Sequence, residues 1–181
     1  MLYIVTDVEA NGPHPMDYSM IEIGAVAVAR NDHGQFVPVD SFFAQMMPLY
    51  TGYDPKALAA IGRTHEETTS YPLTVHGVTD YYNWVVNLTE KYGVKRPLFV
   101  ADNAGFDWQF VNSYLWAFMG DNPFGWSPFS LTSFYKGVSQ SMKASFRKYR
   151  ITKHSHNALD DARGNAEALC AILSQHNIIG S

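Results

Sequence analysis

The chain has 181 residues, 46% of them hydrophobic and 17% charged, which predicts one globular domain over residues 1–181 and excludes disorder, collagen-like repeats and coiled coils. No apolar run reaches the roughly 18 residues of a membrane span, and the N-terminal stretch lacks the basic region of a signal peptide. The single cysteine, Cys170, excludes an internal disulfide framework and a cysteine-rich zinc site. The expected setting is the cytoplasm, with no membrane partner. A net charge of −4 speaks against a polyanionic partner, but its distribution is uneven. Between Asp121 and Asp160 there is no acid, while Lys136, Lys143, Arg147, Lys148, Arg150 and Lys153 supply six of the 13 basic residues. Such polarity suits either a basic surface for phosphates or a solvated loop with no partner.

Leu2 to Thr6 is a short apolar, β-branched run that reads as a buried strand ending at Asp7. Met20 to Arg30 suits a central strand. Asn31-Asp32-His33-Gly34 is a turn signal, and Phe36 to Met47 reads as the return strand, bulged at Pro38. These pieces predict a three-strand antiparallel meander. Pro55 to Ile61 reads as a short helix with proline at its start. Leu73 to Tyr92 reads as a longer one, with Leu73, Val78, Tyr81, Tyr82, Val85 and Leu88 as its buried stripe and Gly93 as its stop. Pro97 to Ala101 is another short strand, followed by a helix from Gly105 to Met119 and a loop from Asp121 to Pro128. Helices are predicted over Ser130–Gly137, Ser139–Tyr149 and Ala158–His176, the last with Leu169, Ile172 and Leu173 on its apolar side. The order indicates an α/β domain with a covered sheet.

Three polar constellations punctuate this pattern. Asp7 and Glu9, two apart in a strand, project from one face; like charges so close raise each other's pKa unless a hard divalent cation sits between them. Asp107 falls in the first turn of the helix after the Pro97–Ala101 strand, where a dipole-stabilised acid is equally ordinary. His154 and His156 lie in a loop, and Asp160 and Asp161 open the last helix. Singly, each set is also consistent with ordinary surface or helix-start acids.

Together, Asp7-Val8-Glu9, then Phe106-Asp107, then His156-x-Ala158-x-x-Asp161-Ala162 occur in the order and spacing of the DEDDh exonucleases, which the chain resembles from residue 2 to about residue 173. The resemblance implies a ribonuclease H-like fold with a mixed five-stranded sheet, the meander plus parallel strands, flanked by helices. It implies two divalent cations, Mg2+ or Mn2+, held by Asp7, Glu9, Asp107 and Asp161, and His156 as the general base. The implied reaction is 3′-to-5′ hydrolysis of single-stranded nucleic acid to nucleoside 5′-monophosphates. RNA is expected ahead of DNA as the partner, because many one-domain relatives trim RNA. The alternatives are a DNA proofreading or repair exonuclease and a silent binding module of the same fold, though all five catalytic positions are retained. Ala10, Asn11 and Asn103 are implied as substrate contacts, and Arg147, Lys148 and Arg150 are expected to hold the strand upstream of the 3′ end. Stacking on aromatics such as Phe36, Tyr53, Phe106, Trp108 and Trp126 would be sequence-tolerant. Where many relatives carry His-Asn, this chain has Asp102-Asn103. Relatives are often homodimers, so a dimer is also expected.

Overall fold

Two apolar strands form the centre of the molecule. The computed structural model describes residues 1–178. In it β1 (Leu2–Ala10) and β2 (Met20–Arg30) are buried along nearly their whole length, as befits strands covered on both faces. β3 (Phe36–Gln45) is only partly buried, at the edge of the sheet. β1 and β2 pair antiparallel, as do β2 and β3; the latter register slips at Val39, so the bulge falls beside Pro38 as expected. The chain then runs through α1 (Pro55–Ala60), α2 (His65–Thr69) and α3 (Thr74–Lys91) before β4 (Leu98–Ala101) returns parallel to β1. After α4 (Ala104–Met119), the two-residue β5 (Phe129–Ser130) pairs parallel with β4, followed by α5 (Leu131–Val138) and α6 (Ala158–Gln175). The five strands lie in the order β3-β2-β1-β4-β5, the mixed sheet that the resemblance implies.

Alternation along β1 divides the core in two. Leu2, Ile4, Val8 and Ala10 pack with α3 and α4 residues on one face, and Tyr3 and Val5 pack with α5 and α6 on the other. Asp7 and Glu9 continue the parity of Tyr3 and Val5, so they point to the α6 side. No helix among the described residues is long and apolar enough to cross a membrane.

Several boundaries differ from those predicted. β1 runs on to Ala10, because Asp7 and Glu9 keep their ladder with Gly24 and Glu22 on β2; the two acids are inside the strand. Leu73 is 53% exposed and precedes α3, whose buried stripe is Val78, Tyr81, Val85 and Leu88. The helix predicted for Ser139–Tyr149 is reduced to a single 3₁₀ turn over Phe146–Tyr149. Phe146 is the one buried side chain of that turn; Met142, one helical turn before it, is 80% exposed, and the left-handed φ of 52° at Gln140 interrupts a longer helix. α2 is an addition to the predicted elements, although Thr64 and Glu67 carry its capping signal: the Thr64 hydroxyl accepts the Glu67 amide at 3.1 Å.

Candidate active site

The site begins where β4 ends. β4 pairs with β1 only from Tyr3 to Val5, so the Val8 amide lacks a strand partner beyond it. Asp107, one turn into α4, takes its place: its Oδ1 accepts the Val8 N–H at 3.0 Å. The short connection of Asp102 and Asn103 between β4 and α4 makes this reach possible. Asn103 precedes the helix with an exposed side chain that caps nothing.

On the other face, α6 brings Asp161. Asn157 caps the helix, its side chain accepting the Leu159 and Asp160 amides at 3.1 Å each. Gly24 lies opposite Asp7 in the register, and a β-carbon there would collide with the Ala158 carbonyl and the Leu159 amide nitrogen. This close approach of helix and strand carries Asp161 to Asp7. Gly24→Ala is therefore expected to lift the first turn of α6 and lower stability by about 1–3 kcal/mol. Thermal melting checks this; an unchanged melting temperature would mean that the helix has room to move.

One carboxylate oxygen from each of Asp7, Glu9 and Asp161 lies within 4.8 Å of the others. Glu9 and Asp161 are buried and Asp7 is half-buried. Burial pushes the Asp7 carboxyl well above the usual range, with Asp107, Glu9 and Asp161 adding to the effect. Burial likewise raises Glu9 to about 8, reinforced by Asp161, Glu22 and Asp107 and opposed by Arg63. Asp107 rises to about 7 through burial, while the Val8 amide and its own backbone amide pull it down and Asp102 pushes it up. An all-oxygen set of mutually repelling carboxylates fits a hard divalent cation.

Asp161 is also the knot of the preceding loop. Its Oδ1 accepts Arg150 Nη2 at 2.7 Å and the Ser155 amide at 3.2 Å. Its Oδ2 meets His154 Nδ1 at 2.8 Å and accepts the His156 amide at 3.0 Å. Glu167, further along α6, accepts the Ile151 and Thr152 amides at 2.7 Å each, and these bonds hold its carboxyl below its ordinary value despite burial. His156 is thereby fixed in a left-handed conformation with φ of 55°, one that costs a non-glycine residue roughly 1–2 kcal/mol. Its exposed side chain lines a cleft of about 460 Å3 with Glu9, Ala10, Phe106 and the α1 residues Lys56, Ala57 and Ala60.

Of the five residues of the resemblance, Asp7, Glu9 and Asp161 come together, the Asp107 charge acts on Asp7 and His156 shares the cleft with Glu9, while the expected substrate contacts are dispersed. Asn11 is fully buried, its Oδ1 accepting the Ser19 amide at 2.6 Å. The Arg150 side chain is 9% exposed and bonded to Asp161 and Asn165, so it does not face solvent with Arg147. Lys148 lies 4.9 Å over the Tyr149 ring. Lys136, Lys143 and Arg147 line a second groove, of about 290 Å3, with Asp102 and Thr132; Asp102 accepts the Thr132 hydroxyl. Among the aromatics, Phe106 reaches the cleft, whereas Trp108 packs against Phe99 and Phe124, Phe36 against Tyr3, Tyr53 on His65 and Trp126 on Trp116. Asp160 pairs with Arg163 at 3.1 Å, away from the cluster. The motifs assign no role to His154 or Glu22; an acid within the apolar MIEIGAVAVA run is the available signal for Glu22.

A carboxylate cluster between the central strand and two helices of such a mixed sheet is the arrangement of a ribonuclease H-like nuclease. Residues 4–169 match the family model described as RNase_T, Exonuclease, and the chain belongs to that exonuclease family. It is 32% identical over 174 residues to the 3′-5′ DNA exonuclease Cap18 of Escherichia coli, covering 92% of this chain and 88% of that one. The fold matches the nuclease domain of 3′hExo, a DEDDh family member bound to rAMP, with a TM-score of 0.74 at 16% identity over 96% of this chain and 92% of that one. It also matches E. coli Exonuclease I in complex with a dT13 oligonucleotide, with a TM-score of 0.66 at 12% identity. That match covers 97% of this chain but only 42% of Exonuclease I, a longer protein.

Proposed function

We propose that the protein is a divalent-cation-dependent exonuclease that removes nucleoside 5′-monophosphates from the 3′ end of single-stranded nucleic acid. The convergence of Asp7, Glu9 and Asp161 within 4.8 Å, beside a cleft lined by Phe106 and His156, carries this reading. The name of the 32% identical relative favours DNA as the polymer, over the RNA expected from sequence.

Asp7, Glu9 and Asp161 would hold the cations, with Asp107 facing the same space from the Val8 amide. When bound, two divalent cations, Mg2+ or Mn2+, would offset the anionic charge and stabilise both the attacking and the leaving oxygen. His156 stands at the cleft wall with an imidazole that can take the proton of the attacking water. Phe106 offers its ring to the terminal base, and the Ala10 backbone, where the β1 register shifts, lies beside the sugar. The groove of Lys136, Lys143 and Arg147 receives upstream phosphates.

The test is a panel of 5′-labelled single-stranded DNA and RNA oligomers, with Mg2+, Mn2+ or a chelator. A ladder of shortened products is expected, blocked by a phosphorothioate at the 3′ linkage and absent from Asp7→Ala. His156→Ala should lose about 100-fold or more in turnover while still binding Mn2+. Equal inactivity of the wild type and Asp7→Ala on both polymers would refute the reading, and faster cleavage of RNA would reverse the choice of polymer.

A further inference from the structure

Glu22 is the buried acid that the reaction leaves unused. It stands opposite Glu9 in the antiparallel register, so both side chains leave the same face of the sheet. It is 1% exposed. Its Oε1 accepts Arg63 Nε at 3.0 Å, Arg63 Nη2 at 2.8 Å and Gln45 Nε2 at 3.0 Å. Its Oε2 is buried without a hydrogen-bond partner. Arg63 comes from the turn between α1 and α2, just past Ala60 and Ile61 of the cleft wall. Its Nη1 also meets Glu67, 3.1 Å away and 40% exposed. The charge of Arg63 reaches Glu9, where it opposes the surrounding carboxylates.

We propose that Glu22 is a positioning residue for Glu9: it holds the Arg63 guanidinium away from Glu9 and so keeps that carboxylate open to a divalent cation. The inference rests on the reading of the cluster as a cation site. A guanidinium is always charged and pairs with carboxylates in a fixed fork. Deprived of Glu22, Arg63 has Glu9 as the neighbouring buried acid, and a carboxylate that accepts both prongs of a guanidinium fork has fewer lone pairs left for a cation. The rival account is that the pair only pins the α1–α2 turn to β2. That account treats the two partners alike, because losing either one unpins the turn.

Calorimetric titration of Mn2+ into the chelator-treated full chain separates the two. Glu22→Gln is expected to weaken Mn2+ binding about tenfold or more, a change equivalent to about 1.4 kcal/mol. Arg63→Gln should bind Mn2+ at least as tightly as the wild type. The double variant, with neither charge, should return to within about threefold of the wild type, the non-additivity expected of a coupled pair. Unchanged affinity in Glu22→Gln, weakened affinity in Arg63→Gln, or a double variant no better than Glu22→Gln would overturn the proposal. If Glu22→Gln does not fold, Arg63→Gln decides alone, since pinning predicts a loss there and positioning predicts none. A wild type that takes up no Mn2+ would instead refute the cation site itself, and the proposal with it.

Discussion

Replacing Asp161 with asparagine is expected to abolish hydrolysis and to destabilise the protein, whereas Asp7→Asn should abolish hydrolysis and raise the melting temperature of the chelated protein. Both residues belong to one cluster, yet their surroundings differ in sign. Asp161 neutralises Arg150, whose side chain is 9% exposed and 2.7 Å away. Removing one member of a buried ion pair strands the other and costs about 3–5 kcal/mol. At about 2–4 °C per kcal/mol for a domain of this size, the loss is roughly 6–20 °C. Asp7 has no such partner: burial and the charges of Asp107, Glu9 and Asp161 all oppose its ionisation, and Arg150 only partly relieves it. An amide of the same shape removes that repulsion. Melting curves in chelator read both effects, and a lower melting temperature for Asp7→Asn would contradict the electrostatic account.

Without metal, stability should also fall as pH rises from about 5 to about 8. Glu9 and Asp107 hold their protons up to about 8 and about 7 in the fold, while the unfolded chain releases them near pH 4. Across that window the native state binds more protons than the unfolded state, so each step up in pH favours unfolding. The combined loss is at least about 2 kcal/mol, or roughly 4–8 °C. Mn2+ should reverse it at the alkaline end, adding about 2.7 kcal/mol when present at a hundred times its Kd. Glu9→Gln should flatten the slope in chelator. A chelated wild type whose melting temperature held steady across this range would show that the carboxylates ionise without cost.

Much of this arrangement is legible in the amino-acid sequence. The apolar runs mark β1, β2 and α6, and Asp7-x-Glu9, Asp107 and His156-x-x-x-x-Asp161 mark the cluster only through their joint resemblance to the DEDDh exonucleases, since each set alone reads equally as ordinary surface or helix-start acids. What escapes depends on contacts between segments. Asp7 and Glu9 read as a strand end because they break the apolar pattern, but a ladder continues through polar residues when β2 lies alongside. The Ser139–Tyr149 segment carries Met142, Phe146 and Tyr149 at helical spacing, but only the Phe146 end finds a core to pack on, while Met142 stays 80% exposed. Arg150 resembles its basic neighbours along the chain, and only the path of the loop turns it inward to Asp161 while Arg147 turns out. Gly24 carries no local turn signal; its need is the backbone of α6, distant in the chain, pressing on it at Ala158 and Leu159.

The contacts on Asp161 crowd its carboxylate. Of about four lone-pair sites, Arg150 and the Ser155 and His156 amides take three, and His154 Nδ1 stands 2.8 Å from Oδ2. A cation held by that carboxylate would therefore compete with these groups. Arg150 is enclosed and the two amides belong to the backbone, so the exposed contact of the four is His154, whose side chain is 55% exposed. Its ring lies 4.3 Å from that of His156. Displacement of His154 would thus alter the surroundings of the His156 ring as well.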